Sequence, residues 1–341
     1  MLKFSLIATV FNDAEGTRKF ARRMNEQTRK PDEIIILDAG STDGTWKVLE
    51  EFANSGTIAL KLLRKESCKP APSRNLCAKA ATYDILAVTD IGCDWEPQWF
   101  EELVAPMEAD PTLDAVMGSW RVAWEDQKTP WAKADYFLQP TIILEATPAT
   151  LAANRAIAYK KNFYLSLGGL PEDLTFAGDD LLLAYQIVRS GRRIGAAPTP
   201  RCTWERPQTF AALFKESCRY GRGSAELGIS LRNFILVSGR LGVEALMFIL
   251  SILFLLVGKP LAGVTCLVLM TLLVFFRLVK LDRRKKRRAQ EGREASIWNL
   301  AILDYTTKIA IARGFIEGFY YGRLHCLDSR RKARSVGLGF W

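Results

Sequence analysis

The chain of 341 residues has one histidine, His325, and no pair of cysteines at C-x-x-C spacing. A serine–histidine or cysteine–histidine catalytic pair would have to use His325, in a basic, aromatic stretch near the end, so nucleophilic catalysis of that kind is set aside. Seven cysteines (Cys68, Cys77, Cys93, Cys202, Cys218, Cys266 and Cys326) are an odd number without metal-ligand spacing. They read as free thiols in a reducing compartment rather than as a disulfide framework or zinc site. The apolar start, Leu2 to Val10, is short and lacks a small-residue cleavage site. It reads as a buried first strand and not as a signal peptide.

With hydrophobic residues at 49% and charged residues at 25%, the composition is that of a folded protein. The first 90 residues alternate apolar runs of strand length with helical spacing. Strands are predicted at Phe4–Val10, Glu33–Leu37, about Ala59–Leu63 and Ile85–Thr89. Helices are predicted at 15–28, Thr45–Ala53 and from about Ser73 to Ala81. That order, with continuously apolar strands, predicts a mainly parallel α/β sheet covered on both faces. Such sheets bind ligands beyond the carboxyl ends of their strands. Asp38 closes the second strand and Asp90 the fourth, so both carboxylates belong to one rim. By position alone, each is either a turn former or a ligand.

Composition shifts from Leu241. Leu241 to Val257 carries one charge, Glu244, and Leu261 to Phe276 carries none, with Gly258-Lys259-Pro260 between them. With their flanks, 234–257 and 261–281 reach the roughly 20 residues that cross a bilayer. The net charge of +10 is concentrated in Arg283-Arg284-Lys285-Lys286-Arg287-Arg288 and in Arg330-Arg331-Lys332 with Arg334. A basic run beside a span stays on the cytoplasmic side. Both the N-terminal domain and the C-terminus are therefore expected in the cytosol at the plasma membrane, with anionic lipid, not nucleic acid, as partner of 283–288. Residues 296–322 mix Trp298, Ile302, Tyr305, Ile309, Ile316, Phe319 and Tyr320 with Asp304, Lys308, Arg313 and Glu317. An amphipathic interfacial helix is expected there, or else a helix packed on the catalytic domain. The expected division is 1–228 catalytic, 229–282 transmembrane hairpin, and 283–341 basic run with amphipathic helix and basic tail.

Five blocks carry a family resemblance. Ser5 to Asp13, Leu37-Asp38-Ala39-Gly40-Ser41-Thr42-Asp43-Gly44-Thr45, Ser73-Arg74-Asn75, Val88-Thr89-Asp90-Ile91-Gly92-Cys93 with Trp95 to Leu103, and Gly168-Gly169-Leu170-Pro171-Glu172 with Gly178-Asp179-Asp180 follow one another in order. Together they resemble family 2 glycosyltransferases over about residues 3–225. The resemblance implies a GT-A fold and single in-line, inverting transfer from a nucleotide-sugar donor. It implies a nucleotide pocket lined by Thr9, Phe11 and Asp13, with Asp38 on the base or ribose and Arg74 on the base, ribose or diphosphate. Asp90 matches the first aspartate of the family's metal motif and is the expected ligand of Mg²⁺ or Mn²⁺. Asp180 matches the general base, and Asp179 the acid before it. A dipole-stabilised helix start is the plainer role for that pair.

Two departures stand out. Gly92 occupies the place of the second metal carboxylate, Asp94 being the nearest alternative, and no Q-x-x-R-W motif of processive synthases is present. Single transfer to a lipid-linked or glycan acceptor is expected. A catalytically degenerate scaffold that binds nucleotide-sugar or glycan is the alternative, and a nucleotidyltransferase a third reading. Trp204 is expected either to stack on a sugar or to sit in the core. Arg206, Arg219 and Arg222 are expected either to meet phosphates or the acceptor, or to be solvated.

Overall fold

The computed structural model describes residues 2–138, 153–288 and 293–338. These fall into two compact units. The first comprises residues up to Ala123, the span to Glu205, and Gly322–Gly339; the second comprises Trp124–Pro140 and Arg206–Tyr321.

The first unit is built on one eight-stranded sheet. Its strands are β1 (Phe4–Val10), β2 (Glu33–Asp38), β3 (Leu60–Arg64), β4 (Ile85–Val88), β5 (Cys93–Trp95), β6 (Ala115–Arg121), β7 (Ile157–Lys160) and β8 (Ile194–Trp204), in the order β3-β2-β1-β4-β7-β6-β8-β5. β1, β2, β3 and β4 are parallel, β7 runs antiparallel to β4 and β6, and β5 antiparallel to β8. Alternation along the strands supplies two apolar layers. Leu6, Ala8, Ile34 and Ile36 pack with Phe20 and Met24 of helix α1 (Ala14–Asn25), with Leu49 and Phe52 of α2 (Thr45–Asn54), and with Trp99 and Phe100 of α4 (Trp99–Ala109). Ile7, Ile35 and Leu37 face the other way, against Cys77 and Ala78 of α3 (Pro70–Ala80), Tyr164 of α6 (Lys161–Ser166) and Leu183 and Ile187 of α7 (Asp179–Arg189). Helix α3 begins three residues before the position expected from apolar spacing. Pro70 stands at its first turn, where a fixed φ and a missing N–H cost nothing.

In the second unit, α5 (Pro130–Leu138) and α8 (Phe210–Glu226) accompany three long helices, α9 (Leu231–Leu256), α10 (Pro260–Arg288) and α11 (Ile297–His325). Both α9 and α10 are long and apolar enough to cross a membrane, and only 11% and 17% of their most apolar windows are buried. A hairpin in a soluble core would be mostly buried. Here Leu256 and Leu261 are 80% and 82% exposed. Glu244, the single charge of the first apolar run, is buried against Arg277 of α10 at 3.3 Å and bonded by Arg240 one turn earlier at 3.1 Å. Along α11, Trp298, Ile302, Ile309, Ile316 and Tyr320 are exposed. Their spacings of four and seven residues keep them on one side. The opposite side packs on α8, where Gly314 and Gly318 lie directly against the α8 backbone at Cys218 and Arg222.

After α11 the chain rejoins the first unit. Helix α12 (Leu327–Ser335) is tied there by Asp173, whose carboxylate accepts from the Ser329 N–H at 3.1 Å and from the Ser329 hydroxyl. Cys326, Ser329 and Ala333 are fully buried. The sequence reading of a basic tail misses this seat, since a nine-residue segment with four cationic side chains shows no apolar period.

Candidate active site

The rim at the carboxyl ends of the parallel strands carries the expected carboxylates. Val10 pairs with Asp38, and Ile7 pairs with Val88 two residues before Asp90. Both aspartates are thereby delivered to the same edge, on either side of the β1 end.

At the β1–β2 side, Phe11 stands 60% exposed beside the partly buried Thr9. Asn12 takes a left-handed φ of 50° and knits β1 to the glycine-rich turn, its N–H donating to Ser41 Oγ at 2.8 Å and its Oδ1 accepting from the Thr42 N–H at 2.8 Å. Asp13 has a structural duty that the resemblance does not announce. Its Oδ1 caps α1 by accepting from the Gly16 N–H at 2.9 Å, and a Cβ at Gly16 would overlap that carboxylate. Asp38 is fully buried and accepts from Ser41 N–H at 3.1 Å and Ser41 Oγ at 2.5 Å. A buried carboxylate needs a counter-charge. Arg64 supplies it from β3, directly opposite in register, with Nε at 3.5 Å and its guanidinium over the Trp46 ring at 5.0 Å. Arg64 was not foreseen, because only the β2–β3 register brings it to Asp38.

At the β4 side, Arg74 of α3 links the two acidic centres. Its Nη2 donates to Asp90 Oδ1 at 2.5 Å, and its Nη1 lies 3.6 Å from Asp179 Oδ2. Burial disfavours the Arg74 charge, but Asp90 and Asp179 more than offset this and hold it protonated. Asp179 and Asp180 open α7 after Gly178, whose φ of 94° turns the chain into the helix. Burial pushes the Asp179 carboxyl up, against the pull of Arg74. Burial and the neighbouring Asp179 push Asp180 up to about 7, with Arg155 and Arg74 opposing. A carboxylate that titrates near neutrality is suited to take a proton from a hydroxyl.

Arg155, like Arg64, belongs to no motif of the sequence. It lies just before β7, with its guanidinium carbon 3.6 Å from the Trp204 ring centroid and 5.1 Å from that of Trp120. Trp204 is thus partly buried, edge-on to Trp120 at 5.4 Å, with Arg155 on one face. The core alternative for Trp204 describes its packing.

Two of the three arginines named as phosphate or acceptor contacts are engaged by carboxylates. Arg206 is 5% exposed and is bound by Asp135 at 2.7 Å and by both oxygens of Glu216 at 2.9 and 2.6 Å, inside the second unit. Its guanidinium is occupied by an internal ion triad. Arg222 is likewise bonded to the buried Glu226 at 2.7 Å and stacked on Tyr321. Arg219 lies on the exposed side of α8 in the same unit.

The divalent cation implied by the resemblance would need carboxylates at the rim. Asp94 does not replace the missing carboxylate, because Arg23 holds both its oxygens at 2.7 and 3.1 Å. A side chain at Gly92 would meet nothing within 4 Å. Among the described residues no group of three or more His, Cys, Asp or Glu is placed to hold a metal. Asp90 offers one free oxygen, its other being bonded to Arg74. One carboxylate, with diphosphate oxygens and water, suffices for Mg²⁺-type coordination. The residues therefore fit a cation that arrives with the donor rather than a preformed metal centre.

The profile of Glycosyl transferase family 2 matches residues 5–165. The glycosyltransferase AglE of Haloferax volcanii is 24% identical over 241 residues, which span 67% of this chain and 76% of that protein. The glucosyl-dolichyl phosphate glucuronosyltransferase of the same organism is 25% identical over 167 residues, 47% of this chain and 52% of that one. Among solved structures, the mannosyltransferase PcManGT of Pyrobaculum calidifontis, in complex with GDP-Man and Mn²⁺, superposes with a TM-score of 0.53 at 19% identity, over 93% of this chain and 87% of that one. That likeness speaks to the fold. The profile match over residues 5–165, the relatives and a rim of acids in the expected order support a family 2 glycosyltransferase, and the structural likeness shows its GT-A fold.

Proposed function

We propose that the enzyme transfers one sugar from a nucleotide-sugar donor to a lipid-linked or surface-glycan acceptor at the cytoplasmic face of a membrane, with inversion. The observation that carries this reading is the Arg74 bridge, which joins Asp90 at the end of β4 to Asp179 at the start of α7. It brings the diphosphate side and the acceptor side of the reaction into one cluster. Asp38 and Phe11 receive the nucleoside, and Asp90 the diphosphate together with Mg²⁺ or Mn²⁺. The cation, when bound, neutralises charge on the diphosphate. Asp180 removes the acceptor hydroxyl proton while the oxygen attacks the anomeric carbon from the face opposite the diphosphate. A single displacement inverts that centre.

The exposed apolar surfaces of α9 and α10 support a membrane hairpin, and the exposed stripe on α11 supports a helix lying in the interface. Arg283, Arg284, Lys286 and Arg287 are exposed at the end of α10, where anionic lipid would hold them. The catalytic domain and C-terminus are assigned to the cytosol.

The test is release of nucleoside diphosphate by the full chain in detergent, with a panel of nucleotide-sugars and lipid acceptors, for wild type and Asp180→Asn. Activity of Asp180→Asn near wild type removes the base assignment. A wild type that binds donors and turns over none of them supports the scaffold instead. Retention of the donor's anomeric configuration in the product refutes single displacement.

A further inference from the structure

We propose that Arg155 is a catalytic residue that binds the diphosphate of the donor and takes up the charge of the leaving group; the inference rests on the transferase reading above. Strands β4 and β7 pair antiparallel, with Ala87 opposite Ala158 and Val88 opposite Ile157. Continuing that register two residues past the strand ends leads to Asp90 on one side and Arg155 on the other. The link continues past the strands, because Thr89 Oγ1 donates to the Arg155 carbonyl at 2.8 Å and accepts from Trp95 Nε1 at 2.9 Å. Arg155 is therefore held at the same strand ends as the carboxylate assigned to the diphosphate.

Its side chain is oriented by two tryptophans. The Trp204 ring covers one guanidinium face at 3.6 Å, and Trp120 lies at 5.1 Å. Stacking of this kind fixes the plane of an arginine and leaves its N–H edge for hydrogen bonds. Nε is buried and has no hydrogen-bond partner, and among the described residues no carboxylate lies within ion-pair distance of Arg155. The other two arginines of the rim are matched, Arg74 with Asp90 and Asp179, and Arg64 with Asp38. Asp180 feels the Arg155 charge from a distance, and a caged guanidinium that no described carboxylate meets at ion-pair distance, beside a reacting centre, is a receptor for an anion. A planar fork suits phosphate oxygens.

Gly92 supplies the reason for a cation here. Where the family pattern places a second carboxylate, this chain has none, and Asp94 is held by Arg23. The rim has one negative charge fewer, and the Arg155 charge is left for the substrate. In the transfer step the acceptor oxygen bonds to the anomeric carbon and its proton passes to Asp180. The bond from that carbon to the diphosphate oxygen breaks, and the electron pair stays on that oxygen. Arg155 donates an N–H to the oxygen as its charge develops, which is where a preorganised donor lowers the barrier most.

The experiment uses the full chain in detergent and two probes, the nucleoside monophosphate and the nucleoside diphosphate of the base that wild type binds best. Calorimetric affinities are measured in EDTA and in Mn²⁺ for wild type, Arg155→Ala and Arg155→Lys, with melting of the nucleotide-free proteins alongside. Arg155→Ala is expected to weaken diphosphate binding about tenfold and leave the monophosphate unchanged. It should also lower kcat by about 10²–10³-fold. Arg155→Lys, which keeps the charge and loses the fork, should fall between, and it carries the test if the alanine variant does not fold. An unchanged ratio of diphosphate to monophosphate affinity in both variants overturns the proposal. Wild type that binds both nucleotides but turns over no donor fails the transferase reading, while the affinity ratio still decides Arg155. A protein that binds neither nucleotide refutes both.

Discussion

The pH dependence of turnover is the sharpest consequence of the site. Asp180 must be ionised to accept the acceptor's proton, and burial together with Asp179 lifts it from 3.8 to about 7. Activity is therefore expected to rise with pH through about 7 and to fall below it as the base is protonated. The perturbation is Asp179→Asn, which removes the like charge adjacent in sequence. At roughly 6 Å and an effective dielectric constant of about 20, two unit charges repel by ~3 kcal/mol. That corresponds to about two pH units. Asp180 keeps some contact with solvent, and the screening reduces the expected shift to about one unit. Removing Asp179 also frees Arg74 to act on Asp180, in the same direction. The assay is kcat/KM for nucleoside diphosphate release between pH 5 and 9. The acid limb of the variant should lie about one unit below that of wild type. A limb that stays in place, or moves up, would refute the electrostatic argument. The stability sign is separate and opposite in sense. The folded state retains on Asp180 a proton that the unfolded chain releases above 3.8, so this group costs stability as pH rises from there to about 7.

Other expectations follow from single contacts. Arg74→Ala leaves Asp90 and Asp179 without their shared cation, so loss of turnover should come with about 3–5 kcal/mol of destabilisation in denaturant titrations. Arg206→Ala should destabilise by a similar ~3–5 kcal/mol, because Asp135 and Glu216 lose this shared cation, yet leave nucleotide affinity at the wild-type value; weakened nucleotide binding would restore the phosphate role. Asp173→Ala removes the acceptor for Ser329 at the seat of α12 and should expose that helix to proteolysis, at a cost of about 1–3 kcal/mol. Titration with EDTA and back-titration with Mn²⁺ should change donor affinity without moving the melting temperature of the nucleotide-free protein, because the cation arrives with the diphosphate.

Much of the catalytic sheet was legible along the chain. Ile34-Ile35-Ile36-Leu37 is apolar at every position because both its faces are covered, and a strand that ends in Asp38 before a glycine turn can only present that acid at the rim. The paired acids at 179–180 were legible as a motif. What they become was not, since the lift of Asp180 comes from burial at the start of α7 and from the Asp179 charge, against the opposing pull of Arg155 and Arg74. Arg206 shows the same limit from the other side. A tryptophan and arginine before a basic helix look like a ligand surface, but Asp135 lies 71 residues earlier and consumes the charge.

The sequence by itself determined the fold class, the order of the rim acids, the missing second carboxylate at Gly92 and the two long apolar helices. Those features are local, written in the period of apolar residues and in short motifs. Only the tertiary structure decided which charges are already paired. Strand register sets Arg64 against Asp38, and the ends of β4 and β7 bring Arg155 to the rim, caged by Trp120 and Trp204 with no carboxylate among the described residues at ion-pair distance. The physical reason is that a charge acts through its nearest counter-charge and its solvent, and in a folded chain both are brought in from distant sequence.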